Sequence, residues 1–106
     1  MNVKFEYIYR DAGNYKLYNA SILTNRHHIP IDQLENQIRE SLIDKIYFNP
    51  IKCNIPKLEF PDSDEELDHD WHEFFSISST EEAPDLNLDI LEFIQISTIA
   101  HKKAFP

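Results

Sequence analysis

Val3-Lys4-Phe5-Glu6-Tyr7-Ile8-Tyr9-Arg10 changes side at every residue, and that alternation decides the fold class. Val3, Phe5, Tyr7 and Tyr9 fall on one face, and Lys4, Glu6, Ile8 and Arg10 on the other, which is the period of a half-buried strand. Asp11-Ala12-Gly13-Asn14 follows, with the single glycine of the chain. A residue without a Cβ adopts positive φ at no steric cost, so Gly13 is expected to make a tight turn flanked by the hydrogen-bonding side chains of Asp11 and Asn14. Tyr15 to Leu23 resumes a β-like run. Residues 3–23 therefore predict a β-hairpin.

Beyond the polar stretch 24–28 the period changes. Leu34, Ile38 and Leu42 recur at helical spacing, and Asp32 with Glu35 three residues on has capping-box spacing, so a helix is expected to about Ile43. Ile46-Tyr47-Phe48 is a short strand stopped by Asn49-Pro50. Pro50, Pro56 and Pro61 predict an irregular or edge segment over 49–61. The acidic stretch 61–70 reads as a loop. Trp71 to Ser78 reads as a strand offering Trp71, Phe75 and Ile77 to the core. From Asp85 on, Leu86, Leu88 and Ile90 alternate as in a strand, whereas Leu86, Ile90, Phe93, Ile94 and Ser97 trace a helical stripe. The length favours a helix over 85–103, capped by Asp85 and closed by Lys102 and Lys103. The expectation is a single α+β domain over 1–106, with 58–84 as acidic loop and strand. Its mainly antiparallel sheet combines the hairpin with the Trp71 strand and carries a central and a C-terminal helix on one face.

Composition limits the function. With one glycine, the chain has no glycine-rich phosphate cradle, dinucleotide fingerprint or G-x-S-x-G elbow. One cysteine, Cys53, allows no intrachain disulfide and no cysteine metal cluster, and a free cysteine of this kind is expected to pack in the core. The twelve Phe and Tyr side chains are likewise expected to fill the core. No apolar run approaches the ~18 residues of a membrane span, and the N-terminus has no apolar leader segment, so a cytoplasmic chain is expected.

Charge is the most informative feature. The formal net charge is −9, but residues 1–57 carry eight basic against six acidic side chains. From Leu58 to His101 there are thirteen acids and no Lys or Arg. Nucleic acid and anionic membranes both require a basic footprint, so neither is an expected partner. A basic protein surface is. Asp62, Asp64, Glu65, Glu66, Asp68 and Asp70 are the candidate partner-binding residues.

Two further sets of residues are candidates. His69-Asp70-Trp71-His72-Glu73 is the densest run of ligand-type side chains, and Asp70, His72 and Glu73 are the candidate metal ligands, with His27-His28 able to complete a site only if their loop folds over. Charge runs are more commonly solvated, so the metal reading is the alternative. At the hairpin, Arg10 is expected to pair with a carboxylate; otherwise Arg10 and Lys16 would form an anion-binding edge beside Tyr9 and Tyr15. Leu88, Leu91 and Ile99 fall off the main C-terminal stripe and would form an oligomer face, giving a homodimer or self-associating subunit.

Lys4-Phe-Glu-Tyr-Ile-Tyr-Arg-Asp-Ala-Gly-Asn-Tyr-Lys16 and Asp68-His-Asp-Trp-His-Glu-Phe74 resemble the Y-R-D-A-[GS]-N-Y-K and D-H-x-W-H-E-[FL] segments of a group of short bacterial proteins. The resemblance implies a shared hairpin, first helix and Trp71 strand, with the apolar segment after Asp85 as an added element. It implies no activity, cofactor or site. The functional expectation is a small acidic interaction or regulatory protein of the immunity, antitoxin or inhibitor type, without catalysis or cofactor. A metal-binding module or metal-dependent enzyme is the alternative.

Overall fold

A computed structural model describes residues 1–60 and 71–101. The element order is β1 (Asn2–Arg10), β2 (Lys16–Leu23), α1 (Ile31–Ser41), β3 (Tyr47–Phe48), β4 (His72–Thr80) and α2 (Ile90–His101). The four strands form one antiparallel sheet in the order β2-β1-β4-β3. The fold is α+β.

The hairpin forms as the alternation requires, with Val3 opposite Leu23 and Arg10 opposite Lys16. Its turn differs in one respect. Asn14, not Gly13, takes the positive φ, at 68°. Asn tolerates that conformation because its short polar side chain bonds locally, and here Arg10 donates to Asn14 Oδ1 at 2.7 Å. Asp11 Oδ1 accepts the Tyr15 N–H at 2.8 Å. Gly13 serves close approach instead, since a Cβ there would meet the Tyr15 ring at 3.3 Å.

Helix α1 buries Leu34 and Ile38, with Leu42 just beyond its end, as the stripe predicts. The expected capping box is absent. Pro30 occupies the N-cap without a side-chain bond, Asp32 accepts the N–H of its neighbour Gln33, and Glu35 pairs with Arg39 at 3.4 Å. The box lies on α2. Asp89 Oδ2 accepts the Leu91 N–H at 3.1 Å, and Glu92 reaches back to the Asp89 N–H at 3.1 Å. The C-terminal helix thus starts at Ile90, five residues later than the expected boundary at Asp85.

The residues before it are held along the end of β2. Asp85 N–H donates to the Ile22 carbonyl at 3.2 Å, and Ile22 N–H to Asp85 Oδ1 at 2.8 Å. Thr24 bridges Asp89 in parallel. Strand-like alternation at Leu86, Leu88 and Ile90 and helical spacing beyond it describe consecutive pieces of one segment.

Strand β4 corrects the expected core set. Glu6 pairs with Ser76 and Tyr7 with Phe74, leaving Phe75 as an extra residue in a bulge. A bulge shifts the two-residue period by one. Ile77 faces the core on one side of it, Phe74 and His72 on the other, while Phe75 is 52% and Trp71 40% exposed. Helices and core lie together on the Phe5 face, where Val3, Phe5, Tyr7, Phe74 and Ile77 meet Leu34, Ile38 and Phe93. Phe5 is the hub, with Phe93 and Phe74 ring centroids at 4.8 and 5.4 Å. The opposite face of the sheet carries neither helix.

Candidate functional site

On the helix-free face, β1, β2 and β4 present Lys4, Glu6, Ile8, Arg10, Tyr18, Ala20, Glu73 and Phe75. The charges are matched locally. Arg10 Nε donates to Glu73 Oε2 at 2.8 Å, which raises the guanidinium pKa, and Lys4 lies 3.9 Å from Glu6. Ser76 also donates to Glu6 at 3.1 Å. Tyr18, 62% exposed, packs edge-on against Phe75 with centroids 6.0 Å apart. Between them, over the small side chain of Ala20, lies an open depression of about 270 Å³ bounded by Lys4 and Glu6. The alternative anion-binding edge does not form: Tyr9 is buried on the opposite face from Arg10, whose charge is taken by Glu73.

The candidate metal ligands separate. His72 is fully buried, its ring tilted against Tyr9 with centroids 5.0 Å apart, and its Nε2 accepts the Leu58 N–H at 2.9 Å. Glu73 projects to the other face and is engaged by Arg10. Neighbouring strand residues point apart, so these two cannot converge on one ion. Asp70 lies outside the described residues. His27 and His28 are exposed, and no group of three His, Cys, Asp or Glu able to hold a metal ion occurs among the described residues.

The six candidate partner-binding acids, Asp62, Asp64, Glu65, Glu66, Asp68 and Asp70, also lie outside the described residues. Of the remaining acids in this half, several serve the fold. Asp89 is 3% exposed and accepts Thr24 Oγ1 at 2.8 Å, the Arg26 N–H at 2.9 Å and the Leu91 N–H. Burial pushes its carboxyl up, but those hydrogen bonds and the Arg26 charge outweigh burial and hold it below the usual carboxylate value. Glu73, Asp85 and Glu92 are likewise bonded within the fold. Glu59, Glu81 and Glu82 stand exposed.

The candidate oligomer face is reduced. Leu88 is buried in the chain's own core ahead of α2, Leu91 is half-buried, and Ile99 alone of the three is prominent, at 76% exposure. Cys53 is buried as expected, and burial pushes its thiol up to about 11, far from the reactive range. Sequence reasoning overlooked Asp89 and His101. The Asp89-x-x-Glu92 spacing marked the first. The second carried little signal, because two of its partners, the Asn49 N–H and the Ser41 carbonyl, are backbone groups distant in the chain.

The chain matches no family model, no curated protein and no solved structure. No helix among the described residues is long and apolar enough to cross a membrane.

Proposed function

We propose that this chain is a non-catalytic interaction protein whose acidic half engages a basic protein surface, as an immunity, antitoxin or inhibitor protein would. One observation carries the reading: thirteen acids with no Lys or Arg between Leu58 and His101. Glu73, Asp85, Asp89 and Glu92 are bonded within the fold, which supports assigning the binding charge to the exposed Glu59, Glu81 and Glu82 and to the run from Asp62 to Asp70. Long-range attraction by such a surface accelerates encounter with a cationic partner and disfavours anionic ones.

The test is capture of a partner from the source cells, followed by its identification and rebinding as a purified protein. The paired reversals Asp64→Lys with Glu66→Lys, and Glu81→Lys with Glu82→Lys, should abolish rebinding while changing folding stability by no more than about 1 kcal/mol, the worth of exposed charges. A partner that is not basic, or one that rebinds both reversals unchanged, refutes the proposal.

A further inference from the structure

The segment leaving β3 crosses the end of the core without joining the sheet. It buries Pro50, Cys53 and Ile55 and turns on itself through bonds from Cys53 N–H to the Asn49 carbonyl and Ile55 N–H to the Pro50 carbonyl. Side chains from other elements grip its backbone. Asn49 N–H donates to His101 Nε2 at 3.1 Å, Tyr7 Oη donates to the Pro56 carbonyl at 2.7 Å, and Leu58 N–H donates to His72 Nε2 at 2.9 Å. Both ends are thus tied by an imidazole nitrogen acting as acceptor. A ring nitrogen accepts only when it carries no proton, and the imidazolium ion has two donors and no acceptor.

We propose that residues 49–58 form an acid-loosened strap, whose start is held by the neutral ring of His101 and is freed when that ring takes up a proton. Protonation of His101 would set its ring N–H against the Asn49 N–H, in a site already reached by the Lys52 charge. On its own helix, His101 Nδ1 faces Ser97 Oγ at 3.1 Å, and from the end of α1 it faces the Ser41 carbonyl at 3.1 Å. The strap brings Lys52 and the Cys53 thiol to the same region, and the Trp71 ring ahead of β4 lies 6.2 Å away. Burial lowers the His101 pKa, the bond to the Ser41 carbonyl opposes that, and the Lys52 charge reinforces it.

The direction of the pH effect follows from linkage. Above the ordinary histidine range the closed and open forms are both neutral, and pH does nothing. As pH falls below about 6.5, the open form binds protons before the closed form does, so closure weakens until the lowered closed-state value is passed. This is a local opening, distinct from unfolding.

Cys53, the chain's one cysteine, reports it. Its reaction with 4,4′-dithiodipyridine, a disulfide that exchanges with thiols in acid, is followed from pH 7.5 to 5 and normalised to the urea-unfolded chain at each pH. Protection should fall by up to about tenfold per pH unit as His101 gains a proton on opening, with the β-sheet circular dichroism intact. In His101→Gln, whose amide oxygen accepts the Asn49 N–H but does not titrate, the slope should be shallower. Nitrogen NMR of the wild type near pH 7.5 should show the His101 Nε2 unprotonated. A protonated Nε2 at that pH, an equal slope in His101→Gln, protection that ignores pH, or loss of the sheet signal over the same range would each overturn the strap.

Discussion

Asp89 and Asp85 lie four residues apart in the same acidic segment, and their contacts assign them unequal weight. Asp89 satisfies a hydroxyl and two backbone N–H groups in a nearly closed site, while Asp85 takes one N–H at an exposed edge. Removing the first strips an N-cap and leaves buried donors unpaired. Asp89→Ala should therefore cost about 2–4 kcal/mol, from the lost cap and the unsatisfied groups together. Asp85→Ala should cost no more than about 1 kcal/mol, the worth of one partly solvated bond. Urea unfolding of both variants at pH 7 reads the difference, and equal midpoints would contradict it. The pH sign is also fixed. Because the Asp89 carboxyl is held low in the folded chain, its contribution is present above the unfolded carboxylate range and is lost as pH falls through its lowered value. The gap between wild type and Asp89→Ala should accordingly begin to narrow as pH falls below the unfolded carboxylate range.

At the scale of elements, the bulge at Phe75 governs how β4 meets the core. Phe75→Ser removes a half-exposed ring and its edge contact with Tyr18, and should change stability by no more than about 1 kcal/mol. Deleting Phe75 removes the extra residue and leaves Phe74 opposite Tyr7, Ser76 opposite Glu6 and Ile77 opposite Phe5 in regular alternation, so the core set is kept and the deletion should still fold. Thermal melts of the two variants test this, and a deletion that abolishes folding would place the bulge elsewhere. The same element shows where the chain's own pattern stops being readable. Val3 to Tyr9 keeps a strict period of two, so the hairpin face is legible residue by residue, and Leu34, Ile38 and Leu42 give α1 equally well. In β4 the period is interrupted by an insertion that only the facing strand defines, so Trp71 and Phe75 read as core while His72 and Phe74 fill it. His72 reads as a ligand for a related reason: its acceptor duty is toward Leu58, a backbone partner that no spacing rule connects to it. The acids present the converse case. Their number is plain in the sequence, but their division into structural and surface groups depends on contacts between segments some sixty residues apart, as for Asp89 with Thr24 and Arg26.

At the scale of the whole molecule, the charge is lopsided in a way the fold does not require. The half up to residue 57 is nearly balanced, and on the helix-free face Arg10 is matched by Glu73 and Lys4 by Glu6. The later half carries the net negative charge, and a field of that kind acts on approaching molecules at distances set by the Debye length, about 8 Å at physiological ionic strength. Its effect should be on encounter more than on residence. The most direct measurement is the salt dependence of association between the purified chain and its captured partner, by stopped-flow or surface plasmon resonance. The account predicts an association rate constant that falls at least about tenfold between 20 and 300 mM NaCl, with a dissociation rate changing far less. An association rate indifferent to salt would contradict it.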